Sequence, residues 1–109
     1  MDCELPLQWE EQRMAAYAIG RLNMRDPSWV QAYGPKTAAL VEKYGGKYLV
    51  RGGTVERLEG SGTLPSVMVV LEFPSMEQAR HWYNDPEYAP LIKLRQTGSD
   101  LDFVLVEGL

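Results

Sequence analysis

The segment Val67–Phe73 (V-M-V-V-L-E-F) is apolar at nearly every position, so both of its alternate sets of side chains are apolar. Side chains of a β-strand point alternately to the two faces of a sheet, and a strand with one wet face therefore alternates apolar and polar residues. Residues 102–107 (D-F-V-L-V-E) also carry apolar residues on both sides. A sheet built from these strands needs cover on both of its faces.

Strand and helix signals follow one another in the order β-α-β-β-α-β. We predict strands at residues 15–22, 47–51, 67–73 and 102–107. The first helix is predicted to begin at Asp26-Pro27, an N-cap followed by a proline at the first helical position, and to end at Gly45-Gly46. Gly34-Pro35 predicts a kink or a brief break inside it.

The second helical region is predicted to begin at Ser75 as N-cap. Asn84-Asp85-Pro86 then ends that helix and starts another piece, which carries Tyr88 and Arg95. Right-handed crossovers place strands one and three in the middle of the sheet, antiparallel to strands two and four, with both helices on one face. The predicted fold class is α+β with a four-stranded antiparallel sheet, formed by residues 15–109 as a single domain after an N-terminal extension, residues 1–14.

Because the helices cover only one face of this sheet, something else covers the other. The simplest cover is a second copy of the chain, packed sheet against sheet about a two-fold axis. We therefore expect a homodimer formed through the sheet faces. A chain of 109 residues also buries a modest fraction of its surface alone, and association would increase that fraction.

Composition narrows the classes of partner. The net charge is -4 and the 11 basic residues are scattered, which argues against nucleic-acid binding. No apolar run approaches the length of about 20 residues that a membrane span needs. The single cysteine, Cys3, excludes a disulfide framework and suits a reducing compartment, so the cytoplasm is the expected location. The N-terminal extension does not read as a signal peptide; it is expected to be either a short helix from Pro6 or unordered.

A set of short motifs, in order along residues 15–108, gives the chain a family resemblance. It resembles the domain-of-unknown-function family numbered 1330, within the dimeric α/β-barrel superfamily of ferredoxin-like folds. The matching motifs are Asp26-Pro27, Tyr33, Gly45-Gly46-x-x-Leu49-x-Arg51-Gly52-Gly53, Leu58-Glu59-Gly60, Glu72-Phe73-Pro74-Ser75, Ala79, Trp82-Tyr83, Pro86-Glu87-Tyr88 and Arg95.

The resemblance implies a ferredoxin-like fold and a homodimer whose two sheets form a barrel-like core. The activity of the family is unassigned. The wider superfamily includes cofactor-independent monooxygenases, muconolactone isomerases, haem-degrading enzymes and stress-response proteins, so the fold alone does not select a function.

Two charged residues stand at the ends of apolar strands. Alternation along the second strand places Tyr48 and Val50 on one face and Leu49 and Arg51 on the other. Arg51 and Glu72 belong to neighbouring strands and meet if the register allows it. Such a pair would either line a cleft between sheet and helices and hold a polar or anionic ligand, or form a structural salt bridge.

The helices contribute the other candidates. Arg95 is expected either to fork onto an anionic ligand or to be a solvated helix end or a partner of Glu72. Aromatic side chains with polar tips suit a ligand pocket, although aromatic residues at helical spacing are commonly core residues, as expected for Trp82. The predicted ligand-binding set is Tyr33, Arg51, Glu72, Tyr83, Tyr88 and Arg95.

Metal and cofactor chemistry is not indicated. The only histidine, His81, falls beside the apolar helix stripe and is expected to be exposed, and a dedicated metal site is not predicted. The glycine-rich segments lack the strand–turn–helix setting of a phosphate-binding loop, so we predict no cofactor. Two functions remain open: a small-molecule site, with or without cofactor-independent catalysis, and a binding or structural dimer without turnover.

Overall fold

The computed structural model describes residues 14–109. Within this range four strands and three α-helices follow the predicted order, and a short 3-10 turn at Pro27–Trp29 leads into the first helix. The strands are β1 (Ala16–Met24), β2 (Lys47–Arg51), β3 (Val67–Phe73) and β4 (Ser99–Glu107); the helices are α1 (Val30–Lys43), α2 (Met76–Tyr83) and α3 (Ala89–Gln96). The predicted N-terminal extension lies, apart from Met14, outside the described residues.

The strand order is β2-β3-β1-β4, and every neighbouring pair is antiparallel. The prediction that the first and third strands occupy the middle of a four-stranded antiparallel α+β sheet is confirmed. None of the helices in the described part of the chain is long and apolar enough to span a membrane.

Local signals account for most helix ends. The Asp26 carboxylate accepts a hydrogen bond from the backbone N–H of Ser28 at 3.0 Å, as expected of an N-cap. At the other end of α1, Gly45 has a φ of 79°, and the N–H of Gly46 bonds the carbonyl of Val41, a left-handed helix termination that favours glycine. Of the predicted kink or brief break at residues 34–35, the break does not occur, because α1 continues through Gly34 and Pro35.

The connection between α2 and α3 is a turn. Ser75 caps α2 by accepting a hydrogen bond from the N–H of Gln78 at 3.1 Å. Asp85 and Pro86 were expected to open the last helix, but α3 begins only at Ala89. The intervening turn is closed by the N–H of Tyr88, which donates to the carbonyl of Asp85 at 2.8 Å.

All three helices pack on one face of the sheet. The buried core joins alternate residues of the two central strands to residues of every helix and to Tyr88 in the turn before α3. The strand residues are Ala16, Ala18, Leu71 and Phe73, and the helix residues are Leu40, Val41, Ala79, Trp82 and Leu91. The side chains between these strand positions point to the opposite face.

No helix of the described chain covers that opposite face, which we call the open face. One side chain from each strand contributes to a continuous β-branched row across it, as the pairing register shows: Val50, Val70, Ile19 and Val104. Val104 is 60% exposed, a high value for an apolar residue in a strand. The expectation that this face carries apolar residues without helix cover therefore holds in the protomer.

Candidate functional site

A cavity of about 230 Å³ lies between the helices and the half of the sheet formed by β2, β3 and the ends of β1 and β4. Most of its wall is apolar. Its mouth lies near Val30, Gly34 and Arg51, which are exposed or half-buried, whereas its inner end is formed by fully buried residues. The lining residues are Leu22, Met24, Trp29, Val30, Tyr33, Gly34, Thr37, Tyr48, Arg51, Gly52, Val67, Val69, Leu71, Trp82, Tyr88, Arg95, Leu101 and Phe103.

Helix α1 supplies the wall with polar groups one turn apart. Tyr33 and Thr37 are four residues apart, and this spacing places them on the same side of a helix. Thr37 is 2% exposed, and its hydroxyl has no hydrogen-bond partner among residues 14–109. A buried hydroxyl without a partner costs free energy, so its presence in a cavity wall indicates a group that a ligand can satisfy.

Helix α3 supplies the charge. Tyr88 precedes this helix and Arg95 lies seven residues later, two turns along the same side. The Nη1 atom of Arg95 donates to the hydroxyl oxygens of Tyr88 at 2.9 Å and of Tyr33 at 3.1 Å, and the two hydroxyls are 2.6 Å apart. We refer to these three residues as the Arg95 triad.

The guanidinium of the triad is buried without a carboxylate. Arg95 is 4% exposed, and its Nε atom has no partner in the described part of the chain. The three salt bridges within residues 14–109 involve other side chains. The expectation that Arg95 is a solvated helix end or a partner of Glu72 is therefore wrong. Buried charges are normally paired, and an anion at this position would complete such a pair.

Burial fixes the protonation state of the inner tyrosine. Desolvation raises the pKa of the Tyr88 phenol far above its ordinary value, the neighbouring Tyr33 raises it further, and the Arg95 guanidinium opposes both. Tyr88 consequently stays neutral at working pH. Its hydroxyl oxygen accepts from Arg95 and shares one hydrogen bond with the Tyr33 hydroxyl, in which either oxygen can be the donor.

A β-bulge brings Arg51 to the cavity. In the pairing of β2 with β3, Tyr48 faces Leu71, Val50 faces Val70 and Arg51 faces Val69, so Leu49 is an extra residue. Tyr48 and Arg51 thus share the helix-covered face, and the guanidinium lies 4.8 Å from the centre of the Tyr48 ring. The predicted faces of β2, with Val50 beside Tyr48 and Arg51 beside Leu49, are wrong because strict alternation ignores the bulge.

Glu72 lies on the open face, away from the cavity and from Arg51. It pairs in register with Lys47 at the other end of β2, and the Lys47 ammonium lies 3.5 Å from its carboxylate. The hydroxyl of Tyr17 also donates to it, at 3.3 Å. The predicted Arg51–Glu72 pair is not formed, because the register separates the two residues along the strands.

The remaining candidates occupy other places. Tyr83 is exposed and lines a second depression of about 250 Å³ between α2 and β4. His81 is exposed, as predicted. Among the described residues no group of three or more His, Cys, Asp or Glu side chains is arranged to hold a metal ion. The structure therefore brings together Tyr33, Arg51, Tyr88 and Arg95, and leaves Glu72 and Tyr83 outside their cavity.

Asp85 lies in the turn that leads to Tyr88 and was not singled out from the sequence beyond its capping role. Its carboxylate accepts hydrogen bonds from the Tyr44 hydroxyl at 2.5 Å, from Lys43 at 3.3 Å and from the N–H of Glu87 at 2.7 Å. These bonds join the end of α1 to the turn that carries Tyr88. The Tyr44 hydrogen bond, followed by the Glu87 backbone bond, lowers the pKa of the Asp85 carboxyl.

The polar groups of the cavity wall are mainly hydrogen-bond donors and cations. They are two guanidinium groups, three phenols, a threonine hydroxyl and two indole N–H groups, and within residues 14–109 no carboxylate, imidazole, thiol or amine lines the wall. Such a set donates hydrogen bonds and stabilises negative charge. Thr37 and Tyr48 were missed from the sequence, because nothing in their local pattern marks them as cavity residues.

The chain matches one protein family and several solved structures. Residues 15–109 match the family described as a domain of unknown function, DUF1330. No curated protein matches the chain significantly. Among solved structures, RPA0582 from Rhodopseudomonas palustris, a protein of unknown function, is 21% identical, with a TM-score of 0.73 over 98% of this chain and 93% of that chain.

Two further structures share the fold at lower identity. SnoaB, a cofactor-independent oxygenase from Streptomyces nogalater, is 14% identical with a TM-score of 0.58 over 85% of this chain and 91% of its own. A dimeric protein of unknown function and ferredoxin-like fold from Bacteroides fragilis is 15% identical, with a TM-score of 0.50 over 85% and 95% of the two chains. These likenesses establish a ferredoxin-like fold.

Proposed function

The chain belongs to the DUF1330 family, and we propose that it is a small-molecule-binding protein whose ligand occupies the cavity beneath the helices. The observation that carries this proposal is the buried guanidinium of Arg95, held by Tyr33 and Tyr88 at the inner end of an apolar cavity. An apolar pocket with a few convergent polar groups is the usual form of a ligand site.

The residues of the cavity wall also limit which reactions the site could catalyse. A proton abstraction at neutral pH needs a base of suitable pKa, such as histidine or a carboxylate, and none lines the cavity within residues 14–109. Arg95 and Tyr88 can stabilise negative charge that is already present or that develops in a reaction. A cofactor-independent reaction here would consequently use a substrate that enters in its ionised form.

We also propose that two copies pair through their open faces, leaving each cavity on the outer, helical side of its own protomer. The β-branched row across the open face supports this pairing, because an uncovered apolar strip of this kind favours association. The dimeric ferredoxin-like relative from Bacteroides fragilis is consistent with it.

Filling the cavity tests the binding proposal. Small organic acids and their neutral amides are screened for binding by ligand-observed NMR, together with a thermal-shift measurement. We expect ligands that bind the wild type to be lost in Val69→Phe, because Val69 lines the cavity, and retained in Ala39→Phe, which adds the same ring at an exposed position of α1. A folded Val69→Phe variant that binds as the wild type does would show that the site lies elsewhere. Absence of any binding would refute the proposal.

A further inference from the structure

We propose that the ligand is an amphipathic monoanion, with one acidic head group that contacts Arg95 at the inner end of the cavity and a small apolar body directed toward the mouth. This inference rests on the proposed function and adds the class of ligand to it. The argument uses the charge, the donor groups and the shape of the cavity in turn.

The charge requirement follows from Arg95. Its guanidinium is buried, none of the salt bridges within residues 14–109 includes it, and its two hydrogen bonds go to neutral phenols. A buried cation keeps its desolvation cost until an anion joins it. A ligand that brings a negative charge to this position therefore gains more than a neutral molecule of the same shape.

The donor groups point to the same head group. Arg95 Nε and Trp82 Nε1 can only donate, and both lack partners in the described part of the chain, as does the hydroxyl of Thr37. A carboxylate or ionised enol offers only acceptors, and Arg95 can fork onto two of them. An amide brings N–H groups of its own, for which this wall has few acceptors.

The shape limits the rest of the molecule. The cavity of about 230 Å³ is smaller than the range of about 300–1,000 Å³ that is typical of drug-sized ligands, so the apolar body of the ligand is small. Between the inner end and the mouth the wall is apolar, with Leu71, Val69 and Phe103 along it. Arg51 at the mouth is exposed, so a second acidic group there would gain little, because water screens it.

Calorimetric titration with matched probes tests the inference. Benzoate and benzamide have nearly the same shape and differ in charge. We expect the wild type to bind benzoate at least roughly tenfold more tightly than benzamide, since a charge-assisted pair is lost with the amide. Equal affinity for benzoate and benzamide overturns the inference while leaving the proposed function intact, whereas no binding of any probe overturns both.

Variants assign the preference to a residue. Arg95→Met should abolish the difference between benzoate and benzamide, and Arg80→Met, at an exposed position outside the cavity, should preserve it. Arg95→Lys, which keeps the charge and loses the planar fork, should retain a weaker preference for benzoate. It replaces the methionine variant as the test if Arg95→Met does not fold. A preference that survives in a folded Arg95→Met variant, or that disappears in Arg80→Met, contradicts the assignment.

Discussion

The hydroxyl oxygens of Tyr33 and Tyr88 lie 2.6 Å apart although the residues are 55 positions apart in the chain. One belongs to α1 and the other precedes α3, so this contact ties the two helices together over the cavity. Because Arg95 donates to both oxygens, the pair also decides where the buried charge is held. The stability of the fold and the proposed ligand binding therefore depend on the same three side chains.

Removing either hydroxyl should destabilise the fold to different extents. Tyr88 is fully buried, so Tyr88→Phe deprives a buried guanidinium of a hydrogen bond that water cannot replace, and we expect a loss of about 1–3 kcal/mol. Tyr33 is half-buried, and Tyr33→Phe should cost about 1 kcal/mol or less, because water can reach the vacated place. Urea unfolding of both variants measures the difference; equal losses would contradict this account of burial.

Asp85 should give the fold a distinct sensitivity to acid. Its pKa is lowered from an ordinary value of 3.8, chiefly by the Tyr44 hydrogen bond, so the native state binds this proton less readily than the unfolded chain does. The stability that it contributes is fully present above pH 3.8 and is lost as the pH falls through the lowered pKa. We expect Asp85→Asn to be less stable at pH 7 and to show a shallower decline below pH 4. Melting temperatures from pH 2 to 7 check this, and parallel curves for the two proteins would refute it.

Two glycines provide contrasting tests of packing. A Cβ added at Gly98 would clash with the carbonyl oxygen of Asp26, and that segment is fixed because the N–H groups of Arg25 and Asp26 both donate to Gly98 O. We expect Gly98→Ala to cost about 3 kcal/mol. At Gly34, inside α1, an added Cβ meets no atom within 4 Å outside its chain neighbours. The higher helix propensity of alanine is opposed there by the ring of Pro35, which disfavours a helical residue with a Cβ before it, so Gly34→Ala should change the free energy of unfolding by less than about 1 kcal/mol. Thermal unfolding of both variants measures the two effects, and losses of similar size would contradict the prediction.

If two copies pair through their open faces, a charged side chain introduced on that face should prevent dimer formation. Val104 is the most exposed member of the β-branched row, and Val104→Lys would place an ammonium group within the proposed interface. We expect sedimentation to show a dimer for the wild type and a monomer for this variant. Ala39→Lys, on the exposed side of α1, should remain dimeric. A wild type that is monomeric at micromolar concentration would exclude the pairing.

The architecture could be predicted from the sequence because the signals that mark the helix ends are local. The caps at Asp26 and Ser75 and the termination at Gly45 each depend on a few neighbouring residues, and all three appear in the structure. The apolar character of β3 on both faces likewise led to the correct conclusion about a face without helix cover.

The site was only partly predictable because it depends on register. A bulge at Leu49 reversed the expected face of Arg51, and the pairing of Glu72 with Lys47 removed the predicted charged pair. Register follows from interactions between strands that are distant in sequence, which alternation within one strand does not reveal. Arg95 was found through its residue type, but its burial follows from the packing of α3 against α1.

The extra residue in β2 also affects how distant relatives compare with this chain. Leu49 has no partner of its own on β3, so Tyr48 before it and Arg51 after it both lie on the helix-covered face. A homologue with one residue fewer at this point would still direct its arginine under the helices, as Arg51 is directed here. An alignment gap at this position is therefore compatible with an arginine that still lines the cavity.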